Sequence, residues 1–170
     1  MVAVSLLAAI FTFAFGTAVT RADSTQWVLF SPPNQHFSIQ LPPNPVESDT
    51  TMGDNLLHTW VVRAPDYIYA VSRAISGGAP YQPSEVDADL SSFLTATKAT
   101  VMTQAKQTWP SPDGPVPSLR FSFRMPDGRL GEGVFVVDGT NGFGAAIIKG
   151  TVGPESAEMF QFVNSLTVLP

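Results

Sequence analysis

Apolar and polar residues alternate with a period of two over much of this chain, and the pattern changes to the spacing of a helix near the middle and again close to the end. Phe37, Ile39 and Leu41 alternate with Ser38 and Gln40, which predicts a half-buried strand ended by Pro42-Pro43. A short apolar run at Trp27–Phe30 precedes it, and a polar, weaker strand at Val46–Thr51 follows. Leu56–Ala64 and Tyr67–Ser76, rich in Val, Ile, Trp and Tyr, complete an expected antiparallel meander with turns at Gly53-Asp54 and Pro65-Asp66.

The helical spacing runs over Ser84–Ala105, where Val86, Leu90, Phe93, Leu94, Thr97 and Val101 share one face. Ser84 is the expected N-cap, with Asp87 completing a capping box. Trp109–Pro117, with four prolines, reads as an extended crossing to a second meander. In that meander Leu119, Phe121, Phe123 and Met125 alternate with Arg120, Ser122 and Arg124, followed by strands at Leu130–Val137 and Phe143–Val152. Gly153-Pro154 opens a last helix with Met159, Phe160, Val163 and Leu166 as its apolar stripe. Runs such as Trp60-Val61-Val62 and Val134–Val137 are apolar on both strand faces, as in a sheet covered on both sides. The expected fold is therefore α+β, a central antiparallel sheet with helices on both faces, an α/β/α sandwich.

Val2–Val19 is almost continuously apolar and is followed by Thr20-Arg21-Ala22, a small-x-small cleavage pattern. Residues 1–22 are read as a signal peptide and 23–170 as a single domain. No Lys or Arg precedes the apolar run, so a start codon assigned too late, or an uncleaved N-terminal anchor, is the alternative. The destination is the periplasm or the exterior, with membrane contact only through that segment.

Composition narrows the function more by exclusion than by assignment. With 44% hydrophobic and 14% charged residues the chain is not a disordered one. A net charge of -5 gives no attraction to nucleic acid or anionic lipid, and zero cysteines exclude disulfides, thiolate metal sites and a cysteine nucleophile.

The order of elements resembles the PsbP-like fold family, which includes small exported bacterial proteins of the DcrB and LpqN types. HFSIQLPPNPVE at residues 36 to 47 is like the family's early strand and proline-flanked turn, and FQFVNSLTV at 160 to 168 is like its final helix. The resemblance covers nearly all of the mature chain. It implies a sandwich fold and an exported accessory role, and no functional residue of the family maps onto this sequence.

Catalytic and ligand-binding patterns are sparse. His36 and His58 lie on strands where they could approach and, with Asp49 or Asp54, hold a metal, but their spacing is no metal motif and they are read as surface or packing residues. No G-x-S-x-G elbow occurs, and Thr95-Ala-Thr-Lys98 lacks the serine and the partner motifs of an S-x-x-K enzyme. Gly139–Gly144 is glycine-rich yet lies between strands, so it is a hairpin turn and not a phosphate cradle. Trp60, Tyr67, Tyr69 and Tyr81 are expected to pack in the core. Opposite the apolar stripe of the long helix, Ala88, Ser92, Thr95, Ala99 and Thr103 form a small, uncharged face, the candidate contact surface for a partner. The sequence thus points to an exported, non-catalytic binding protein of the bacterial envelope, with no catalytic residue, no metal, no cofactor and an unidentified protein or envelope component as partner. A cofactor-free envelope hydrolase is the alternative.

Overall fold

The computed structural model describes residues 26–170; the expected leader at 1–22 lies outside them. Among the described residues the chain is mostly antiparallel β-sheet with two helices. The strands are β1 (Val28–Phe30), β2 (Phe37–Leu41), β3 (Val46–Met52), β4 (Asn55–Arg63), β5 (Tyr67–Ile75), β6 (Thr100–Trp109), β7 (Val116–Arg124), β8 (Leu130–Asp138), β9 (Asn141–Lys149) and β10 (Thr167–Val168). The helices are α1 (Glu85–Thr97) and α2 (Ala157–Asn164). Seven strands form one sheet in the order β3-β4-β5-β9-β8-β7-β6, and β1-β2-β10 form a small second sheet.

Period-two alternation assigns the side chains of the large sheet to two separate cores. One joins Leu57, Ile68, Ala70, Leu119, Phe121, Phe123, Phe135 and Ile148 to Val86, Leu90 and Phe93 of α1. The other joins Trp60, Val62, Tyr69, Val134, Val136, Phe143 and Ile147 to Met159, Phe162 and Val163 of α2 and to Phe37, Ile39 and Leu41 of β2. The second core is therefore closed by a helix together with the small sheet. Tyr67 and Tyr69 tie the start of α2 to β5: the Tyr67 hydroxyl donates to Ser156 Oγ at 2.9 Å and that of Tyr69 to Glu158. Burial first, and then the Glu158 carboxylate, hold the Tyr69 hydroxyl protonated well beyond its ordinary range.

The helix predicted over Ser84–Ala105 ends eight residues early. Lys98 turns into the left-handed region (φ 55°, ψ 25°), and Thr97 Oγ1 folds back to Phe93 O at 2.7 Å. Thr100–Trp109 then pairs with β7 as an edge strand, against the helical expectation. Helix formers (Gln104, Ala105, Lys106) and a Val101 spaced four from Thr97 suggested continuation, but pairing with β7 engages nine of the ten residues in a backbone ladder. A register shift between Val101 and Thr103 and the charge of Lys106 blunt this edge against further pairing.

Three smaller corrections follow from the same geometry. The proline-rich stretch is a hairpin loop and not a crossing, since Trp109 pairs with Val116 and Thr108 with Pro117 on either side of it. Ser84 makes no side-chain cap; instead the Glu85 carboxylate accepts from the Gln82 N–H at 2.6 Å, so the capping box sits two residues upstream, with Pro83 in the first turn. The last helix begins at Ala157, three residues after Pro154, with extended Ser156 before it.

Candidate functional site

The small-residue stripe does not survive as one surface. Ala88, Ser92 and Thr95 lie on α1, where the Thr95 hydroxyl donates to Ser91 O at 2.9 Å, whereas Ala99 follows the helix and Thr103 is on β6. Thr103 Oγ1 lies 2.7 Å from Ser122 Oγ, and Ser122 points away from the face of β7 on which Phe121 and Phe123 meet α1. The stripe was a consequence of extending the helix too far.

The two histidines also part company. His36, with φ 55°, places Nδ1 2.6 Å from Pro170 O at one end of the molecule. His58 on β4 stands directly opposite Asp49 on β3, its Nδ1 2.7 Å from Asp49 Oδ1. Asp54 is not in that group, and Glu47, which the sequence did not single out, is. Glu47 and Asp49 are two residues apart on one strand and so share a face, a relation visible only once Val46–Met52 is known to be a strand.

A polar hollow of about 400 Å³ opens at the turn end of the large sheet, lined by His36, Ser111, Asp113, Asp138, Thr140 and Asn141 among others. Ser111 Oγ donates to Asp138 Oδ2 at 2.5 Å, and His36 Nδ1 is engaged by Pro170 O, so serine and histidine are not paired as nucleophile and base. Asn141 Oδ1 accepts from Arg73 Nε at 3.1 Å and Nη2 at 2.7 Å, so the asparagine that lines the hollow is held from behind by Arg73.

Two of the exposed large apolar side chains, Leu29 and Phe160, meet elsewhere on the surface. Two adjoining hollows of about 380 and 560 Å³ share Asn164 and Thr167 and run from β6, past the end of α2, to β1. Trp109, Pro110 and Leu166 line one end, and Leu29, Gln40 and Phe160 the other. Leu29 is 70% and Phe160 60% exposed, and both line the second hollow. No Lys, Arg, Asp or Glu lines either hollow. Arg120 forms the shoulder: its guanidinium lies 4.4 Å from the Phe160 ring centre and donates to Glu132 Oε1 at 2.8 Å and Asn164 Oδ1 at 2.8 Å. The sequence reading counted Phe160 among the buried stripe residues of the last helix; the two-sided exposure of α2 turns it outward.

The chain is similar in structure to cyanobacterial PsbP (CyanoP) from Synechocystis sp. PCC 6803, known from a solution structure, with a TM-score of 0.53 and 10% sequence identity over 91% of this chain and 99% of that one. The fold is PsbP-like, and identity at this level speaks for the fold alone. A crystal structure from Bacteroides thetaiotaomicron VPI-5482 matches with a TM-score of 0.38 and 14% identity, covering 84% of this chain and 48% of that chain. No protein-family model and no curated protein matches the sequence. Among the described residues no helix is long and apolar enough to cross a membrane.

Proposed function

We propose that the protein is an exported, non-catalytic accessory protein that binds a protein component of the bacterial cell envelope, in the manner of the small DcrB and LpqN types. We read its architecture as an α/β/α sandwich in which α1 and α2 take opposite faces of the large sheet. Export rests on the apolar run and cleavage pattern of residues 1–22. The observation that carries the binding role is the uncharged groove between β6, α2 and β1, with Leu29 and Phe160 exposed in it and Gln40, Gln161, Asn164 and Thr167 at hand for hydrogen bonds. An apolar floor with a polar rim is the anatomy of a protein contact surface.

The test is photo-crosslinking in an exporting bacterium, with a benzophenone amino acid at position 29, 160 or, as control, 152, which is 71% exposed outside the groove. Adducts to one envelope protein from 29 and 160, and not from 152, are expected. Equal labelling at 152, or none at 29 and 160, refutes the reading. N-terminal sequencing of the same material is expected to begin at Asp23. The hollow that holds His36, Ser111 and Asp138 would serve the alternative, a cofactor-free hydrolase; chromogenic ester hydrolysis abolished by Ser111→Ala would establish that reading instead.

A further inference from the structure

We infer that Glu47, Asp49 and His58 form a divalent-metal site of the zinc class on the β3–β4 hairpin. One possible ligand atom from each of the three lies within 4.8 Å of the others. The hairpin register creates this group: Asp49 pairs with His58 and Glu47 with Trp60, so all four side chains stand on the same face.

The nitrogen donor is what separates this site from a pair of surface acids. The His58 ring stacks on Trp60, with centroids 5.9 Å apart and an interplanar angle of 19°, and Trp60 is buried. The His58 side chain is only 12% exposed, so its orientation is set before any ion arrives. Asp49 and Glu47 are exposed and keep the rotamer freedom to close on an ion. Tetrahedral zinc with bonds of about 2.0–2.2 Å spaces its ligands by about 3.3 Å. The His58–Asp49 pair, now 2.7 Å apart, must therefore open by about 0.6 Å, and the widest pair must close by about 1.5 Å at most. Side-chain torsions of the two acids cover both changes without moving a strand.

Charge favours the same reading. Among the described residues no Lys or Arg forms an ion pair with either carboxylate. Arg73 stands beside His58 in the register of β5, yet it donates to Asn34 O at 2.6 Å and Gln35 Oε1 at 3.2 Å, and to Asn141 Oδ1. Arg73 is thus committed to Asn141 and the loop before β2, and His58 is the one ion-pair partner that either carboxylate has among the described residues. An imidazole nitrogen with two carboxylates suits zinc and its transition-metal neighbours, whereas calcium takes six to eight oxygens, which three side chains on a flat hairpin do not supply. Three protein ligands leave a fourth position for water.

The experiment is isothermal titration of the full-length purified protein, freed of metal with a chelator, with zinc chloride, calcium chloride and magnesium chloride in separate runs. One equivalent of zinc per chain is expected, with calcium and magnesium at least tenfold weaker. His58→Ala and Glu47→Gln should each weaken zinc binding at least tenfold. Glu47→Gln is an exposed, isosteric change, so it reports on the site even where His58→Ala disturbs packing on Trp60. Absence of a zinc heat, calcium bound in preference to zinc, or unchanged affinity in Glu47→Gln overturns the assignment.

Discussion

Gly131 in β8 lies directly beneath the ring of Phe123 in β7, and this contact makes Gly131→Ala a sharp test of the first core. A Cβ at position 131 would meet Cζ of Phe123 at 2.2 Å and Cε2 at 2.5 Å. Carbon atoms settle at about 3.5–4.0 Å, so the ring would have to retreat by at least about 1.3 Å. It has nowhere to go. Phe123 is fully buried, with its ring centre 4.9 Å from that of Phe93 on α1 and 5.8 Å from that of Phe121, which itself stacks on Phe135 at 5.1 Å. Overpacking of a closed core costs about 1–3 kcal/mol. Against it stands the gain of about 0.5–1 kcal/mol from replacing glycine in a strand interior. An approach as close as 2.2 Å belongs in the upper part of that cost range, about 2–3 kcal/mol, so Gly131→Ala should lower stability by about 1–2.5 kcal/mol, or about 2–10 °C in midpoint for a domain of this size. Urea unfolding followed by tryptophan fluorescence measures it, read as a change in midpoint at constant slope. Combining the change with Phe123→Leu should recover part of the loss, because the smaller side chain vacates the space the methyl needs. Gly78→Ala, with no atom within 4 Å of the added carbon, is the neutral control. A Gly131→Ala protein as stable as the parent, or a double variant whose losses simply add, would refute this account of the packing.

Two further outcomes follow from polar groups. Tyr81 is half-buried, and burial, then Asp89, then Glu85 push its hydroxyl up to about 12. The unfolded chain releases that proton near pH 10, so the stability Tyr81 contributes is complete below pH 10 and declines as pH rises from 10 to 12. Its hydroxyl has no hydrogen-bond partner among the described residues, so Tyr81→Phe should be at least as stable at pH 7 and lose less between pH 10 and 12; parallel stability–pH curves for the two proteins would count against this. Arg120→Ala should cost about 1–3 kcal/mol, since it strips Glu132 Oε1 of the two N–H groups that donate to it and uncovers one side of Phe160. Replacing both Arg120 and Glu132 by leucine should restore most of that stability in chemical denaturation. Lys106→Ala, by contrast, breaks an ion pair whose side chains are 66% and 42% exposed, and its unfolding free energy in urea should change by no more than about 1 kcal/mol.

Much of the fold was legible because alternation is a local property. Phe37-Ser-Ile-Gln-Leu41 and Leu119–Met125 declare their buried faces within a few residues, and the structure has strands at both. The first meander and the hairpin turns at Gly53 and Gly139, both with positive φ, were likewise readable from turn chemistry. β6 was not legible, and the reason is its position. As an edge strand it is exposed along nearly its whole length, so it carries no apolar alternation to distinguish it from an amphipathic helix running on from α1. The partner-contact stripe through Ala99 and Thr103 inherited that error.

What the sequence determined by itself is the strands other than β6 and the short β10, the places of the two helices and the absence of recognisable catalytic motifs, since each depends on residues close together in the chain. Tertiary structure alone decided where those segments meet. Register brought Glu47 and Asp49 to His58, and folding of the large sheet brought Trp109 within 3.3 Å of Leu166 O, 57 residues away, at the head of the groove. Hydrogen-bond pairing between strands is non-local, and a shift of one residue reverses every face. The candidate sites of this protein lie between elements, and so they became visible only once the elements were paired.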